Sequence, residues 1–126
     1  MKQVTMLAMS EAVELDVDKL DALYEALGDV AAEDVVCRAM EELAVKLAQV
    51  DRLYRSHQIE EMYKAVRSMG AIADQIGMVL LAQVSRDVVA CVDAADSTAL
   101  AAVVQRLMRS GEGSLTQIWR AQDLSI

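Results

Sequence analysis

One histidine, two cysteines and a few adjacent carboxylates are the groups in this 126-residue chain that could take part in covalent or metal chemistry. His57 could act as nucleophile, base or ligand, but it sits in the polar run Arg55-Ser56-His57-Gln58, where a solvated turn is the simpler reading. Cys37 and Cys91 lie 54 positions apart, and the chain has no His-x-x-His or Cys-x-x-Cys spacing, so a tetrahedral metal site lacks its ligands. Both thiols fall in helical patterns and read as small buried hydrophobes. Diiron bundles use Glu-x-x-His, yet Glu41, Glu42, Glu60 and Glu61 have no histidine three positions on, so they read as solvated helix faces. Gly111-Glu112-Gly113 follows a helical stretch and lacks both a third glycine and a Lys-Ser/Thr pair, so it reads as a hinge or cap and not as a phosphate cradle. The expectation is a protein that is not an enzyme, with no catalytic residues, no metal and no cofactor.

The elements that would position these groups follow from composition. Hydrophobic residues make up 55% of the chain, proline and phenylalanine are absent, and Ala, Leu, Val and Met abound, which favours long uninterrupted helices. The fold class expected is all-α: an antiparallel four-helix bundle with an additional N-terminal helix. Residues 1–126 read as a single domain, with 1–15 as an arm or short helix. The eight methionines fall mostly at core positions, as gap fillers. Twenty acidic against 12 basic residues give a net charge of −8, which repels a phosphate backbone, so nucleic acid is not an expected partner. The apolar run Val4 to Met9 is too short to span a bilayer, so no membrane association is expected, and the chain reads as cytoplasmic, folding alone or as a homodimer.

Periodicity places the helices. Asp16 or Asp18 caps a first helix with Leu20, Leu23 and Leu27 on its apolar side, ended by Gly28. Asp29 is the expected cap of a second, in which Val36, Met40, Leu43, Leu47, Val50 and Tyr54 recur at alternating steps of four and three. After the His57 turn, Ile59, Met62, Val66, Met69, Ala73 and Ile76 mark a third, antiparallel to the second, that Gly77 ends or bends. Leu81, Val84, Val88 and Cys91 mark a fourth. A turn at Asp93 to Thr98 then leads to a fifth through Leu100, Val103, Val104 and Leu107, which either continues across Gly111 and Gly113 or breaks there.

This order of elements, with the segment Ile59-Glu-Glu-Met-Tyr-Lys-Ala-Val-Arg-Ser-Met-Gly-Ala-Ile-Ala-Asp-Gln-Ile-Gly77, resembles the histidine-containing phosphotransfer (HPt) domain over about residues 16–118. In that family a phosphoryl-carrying histidine lies in the pattern His-x-Leu-Lys-Gly-Ser-x-x-x-Ile/Leu-Gly, exposed where a receiver domain docks. Laying the end of the pattern on Ile76-Gly77 puts Arg67 at the phosphoacceptor position and Met69 at the leucine. Gly70, Ala71 and Ile72 then stand at the lysine, glycine and serine. The signature is degenerate where the chemistry lies. A guanidinium, protonated at pH 7, offers no free lone pair to a phosphoryl group.

What the resemblance leaves is a surface. Glu60, Lys64, Arg67, Ala71 and Asp74 share one helical stripe, with Glu60 and Lys64 spaced to pair, and Gly70 and Ala71 are expected to make it flat and exposed. The resemblance implies a phosphorelay module that binds a response-regulator receiver domain or a histidine kinase through this stripe without carrying a phosphoryl group. The alternatives are a bundle for self-assembly or an unrelated protein contact and, behind it, an active phosphotransferase.

Overall fold

The computed structural model describes residues 15–125, with side chains as far as residue 116, so the expected arm lies outside the described residues apart from the buried Leu15. The described chain is helical: α1 (Val17–Leu27), α2 (Asp29–Arg55), α3 (Ile59–Gln75), α4 (Val79–Asp93) and α5 (Ser97–Ser125). Each helix packs on the next, and α5 also returns to touch α2. The four-and-three spacings become the core. Met40, Leu43 and Leu47 of α2 meet Met62, Val66 and Met69 of α3, Leu81 and Val88 of α4 and Val104 and Leu107 of α5 in one buried cluster. Each large apolar side chain so placed contributes about 1.5–3 kcal/mol.

Local chemistry sets where the helices begin. The Asp16 carboxylate accepts the Lys19 N–H at 3.1 Å and opens α1. Asp96 does the same for α5 by accepting the Ala99 N–H at 3.0 Å. Asp29 differs from the sequence expectation: it is the first residue of α2 and makes no side-chain capping bond, because Gly28, at φ 83°, is the hinge between α1 and α2. At that position the carboxylate still lies at the positive end of the helix dipole.

Three helices end in one way. After α2, the Gln58 N–H donates to Leu53 O and the His57 N–H to Tyr54 O. After α3, Met78 donates to Ala73 and Gly77 to Asp74; after α4, Asp96 donates to Cys91 and Ala95 to Val92. Each pair is a Schellman motif, which needs a left-handed residue just past the helix. His57 (φ 61°), Gly77 (φ 76°) and Ala95 (φ 53°) fill those places. Gly77 has a further constraint, because its carbonyl accepts the Asp16 N–H at 2.7 Å. A Cβ on Gly77 would stand 2.9 Å from the Asp16 carbonyl oxygen, so this turn both ends α3 and holds the start of α1.

The fifth helix does not break at its glycines: α5 runs through Gly111 and Gly113. Gly111 is buried against Leu47 of α2, where a Cβ would come within 2.8 Å of the leucine methyl, whereas Gly113 has nothing within 4 Å. The first glycine therefore permits a close helix crossing and the second merely tolerates the helix.

Candidate docking face on α3 and α4

The α3 stripe begins with core packing, because Met62, Val66, Met69 and Ala73 face inward and force the positions between them outward. Glu60, Lys64, Arg67, Ala71 and Asp74 are accordingly exposed. Gly70 is not. It is half-buried at the closest approach of α3 to α4, where a Cβ would lie 3.2 Å from the Ser85 Cβ. The flat exposed patch expected at Gly70 and Ala71 is therefore half a helix crossing, and only Ala71 is open. Ser85 itself is buried and donates its hydroxyl to Leu81 O at 2.8 Å, so its one hydrogen-bond donor is already used within α4.

The pairings along the stripe also differ from the expectation. Lys64 reaches Glu61, at 3.9 Å, and not Glu60. Asp74 pairs across elements with Lys19 of α1 at 3.3 Å, an exposed contact worth about 0.2–1 kcal/mol. Arg67 lies over the Tyr63 ring, 5.8 Å from its centroid. No carboxylate lies within ion-pair distance of Arg67 among the described residues.

Between α3 and α4 runs an open depression of about 280 Å³ with Arg67, Ala71 and Asp74 on one side, Arg86 on the other, and Gly70 and Ser85 in its floor. Arg86 is the member that the sequence stripe omits. The α4 core positions Leu81, Val84 and Val88 place Arg86 on the outside, but its meeting with Arg67 depends on the Gly70–Ser85 crossing, which one helix alone does not encode. Arg86 donates to the Gln83 side chain at 3.0 Å.

The other candidate groups stay apart from this face. His57 is exposed in the turn between α2 and α3, ahead of the start of α3 at Ile59, from which the helix rises about 12 Å to Arg67. Glu41, Glu42, Glu60 and Glu61 are exposed helix faces. Cys37 and Cys91 are half-buried, more open than the buried-hydrophobe reading expects. Among the described residues no three His, Cys, Asp or Glu side chains are grouped to hold a metal ion, and no helix is long and apolar enough to cross a membrane. Tyr24 on α1 has a raised pKa: burial, and secondarily the negative charges of Asp29 and Cys37, push it above the usual phenol value. No family model, curated protein or solved structure matches the chain.

Proposed function

We propose that α2 to α5 form an HPt-like four-helix bundle with α1 across one end, and that the protein is a phosphorelay docking module that binds a receiver domain or histidine kinase without carrying a phosphoryl group. The observation that carries this reading is Arg67. It is exposed, the resemblance aligns it with the family's phosphoacceptor, no carboxylate lies within ion-pair distance of it among the described residues, and beside it small residues form a floor that permits close approach. Its charge suits the acidic pocket of a receiver, and its chemistry excludes transfer, because a guanidinium supplies no nucleophilic nitrogen at neutral pH. His57 stands too far along the chain to substitute.

The test is binding of purified receiver domains and kinase dimerisation domains from the same genome to the full chain and to Arg67→Glu. Saturable binding by the wild type that the substitution weakens supports the docking reading, and absence of binding to every domain overturns it. The second reading, self-assembly, draws on the apolar residues left open at the α1–α2 elbow, Leu27 and Val30, the latter 85% exposed. Sedimentation showing a concentration-dependent dimer that Val30→Glu abolishes would favour it.

A further inference from the structure

Among the described residues Arg67 and Arg86, like Lys46, Arg52 and Arg109, have no carboxylate within ion-pair distance, but only Arg67 and Arg86 of these line the α3–α4 depression. Lys19, Arg38, Arg55, Lys64 and Arg106 each lie within 4 Å of a carboxylate, at 3.3, 3.1, 3.1, 3.9 and 3.8 Å. The two arginines of the α3–α4 depression are instead steadied by neutral groups, Arg67 by the Tyr63 ring and Arg86 by the Gln83 amide. The acids nearby are already engaged: Asp74 with Lys19, and Asp87 with Gln83 and, at 3.8 Å, Arg106. Two other surface depressions, along α2 and α5, both contain Asp51 and Glu112, which in one of them stand beside Arg55 and Arg109. On a chain of net charge −8, the cleft sets Arg67 and Arg86 against one carboxylate, Asp74, which Lys19 already engages, so it is locally positive and its two guanidinium groups are partly held in place.

We infer that Arg67 and Arg86 together clamp a cluster of carboxylates on the partner protein, a cluster of the kind that otherwise holds a divalent cation, so that Mg²⁺ and this protein compete for it. The inference rests on the docking reading and names the chemistry of the partner surface. The cleft is open, so a small anion in it would stay hydrated and gain little; a protein surface that covers the cleft excludes water and strengthens both contacts. The acidic remainder of the chain repels any partner with extended negative charge, which confines the attraction to a compact acidic pocket. Guanidinium groups bind carboxylates in pairs of parallel hydrogen bonds, and two of them on adjacent helices match a pocket with two or more acids. Carboxylates close enough to meet both arginines also concentrate a divalent cation, and by linkage each ligand lowers the affinity of the other.

The experiment is calorimetric titration of the full chain with purified, unphosphorylated receiver domains from the same genome, in EDTA and in excess MgCl₂. Wild type, Arg67→Glu, Arg86→Glu and Arg52→Glu are compared, the last an exposed cation on α2 that controls for net charge; circular dichroism verifies that each is folded. The expected result is binding in EDTA that MgCl₂ weakens, that Arg67→Glu and Arg86→Glu each weaken about tenfold or more, and that Arg52→Glu leaves within about twofold. Binding that depends on Arg67 but not on Arg86 overturns the clamp and leaves the docking reading standing. Binding that depends on both arginines but not on MgCl₂ overturns the cation-holding pocket. Failure of every receiver to bind overturns the docking reading and the clamp together.

Discussion

Gly70 of α3 and Ser85 of α4 pack backbone against Cβ, so closely that a methyl group on the glycine would stand 3.2 Å from the serine Cβ. Ser85 cannot move away as a long side chain would, because its Cβ is fixed to the helix; the two helices must separate instead. Gly70→Ala gains about 1 kcal/mol of helix propensity and loses about 1–3 kcal/mol to overpacking, so the expected net is destabilisation by about 1 kcal/mol. In a Ser85→Gly background the sign reverses, and the same substitution stabilises by about 1 kcal/mol. Urea denaturation of the four proteins in this cycle measures the coupling, and additive effects would show that the two residues do not meet.

The glycines of α5 make a second paired prediction. Gly113→Ala has open space around it and should stabilise the protein by up to about 1 kcal/mol. Gly111→Ala pushes on the buried Leu47 side chain and should gain nothing or lose stability, whereas Leu47→Ala in the same chain relieves the crowding. Equal thermal shifts for the two single alanine variants would contradict the α2–α5 crossing.

These glycines also mark how far the sequence could be read. The core was legible because one helix determines its own apolar face: Met40, Leu43, Leu47, Met62, Val66 and Met69 follow from spacing alone, and all are buried. Contacts between helices were not, since Gly111 and Gly113 look alike until Leu47 is placed beside one of them. The same limit hid Arg86, which joins Arg67 only through the register of α3 on α4, and it made Gly70 look like open surface. The ion-pair partner of Lys64 was missed for a smaller reason: Glu60 and Glu61 both lie within reach along the helix, and side-chain rotamers choose between them.

Leu43 is fully buried at the centre of α2. Leu43→Ala should therefore cost about 2–5 kcal/mol. A denaturation midpoint that does not move would mean that the inward face of α2 is wrongly placed.

Ala95 holds a left-handed backbone conformation that costs an L-residue about 1–2 kcal/mol, and glycine removes the cost. Ala95→Gly should raise stability by about 1 kcal/mol, partly offset by the greater freedom of glycine in the unfolded chain, and raise Tm by about 3–6 °C. His57→Gly should act in the same direction at the end of α2. A lower Tm for both variants would contradict the two Schellman turns.

The raised Tyr24 pKa gives a pH dependence with a definite sign. The folded state holds the phenol proton more tightly than the unfolded chain, so the Tyr24 contribution is fully present below the ordinary phenol value near 10 and is lost as pH rises through the folded pKa. Wild type should thus lose more stability than Tyr24→Phe between pH 9 and pH 11, the window of about one unit either side of that value. Urea midpoints that fall in parallel for the two proteins would remove Tyr24 as the cause.

The docking reading makes a chemical prediction about Arg67. Wild type incubated with acetyl phosphate or a phosphorylated receiver should gain no acid-labile phosphoryl label, because neither Arg67 nor the distant His57 places a neutral imidazole on the docking face. Arg67→His supplies one: its unprotonated ring nitrogen attacks phosphorus, the bond to the donor oxygen breaks, and the ring's N–H proton passes to solvent. In the resembled family a lysine stands three residues later, at Gly70 here, but a lysine there would meet Ser85 and separate the helices. Arg86 already lines the same depression from α4 and can steady the phosphoryl oxygens without that substitution. Arg67→His should therefore take up label on its own, and Arg67→His combined with Arg86→Ala should do so at least about tenfold more slowly. Label on the wild type that disappears with His57→Gln would instead make His57 the acceptor and end the non-phosphorylatable reading. A folded Arg67→His protein that binds the receiver and stays unlabelled would show that the partner does not present its phosphoryl group to the α3 position at all.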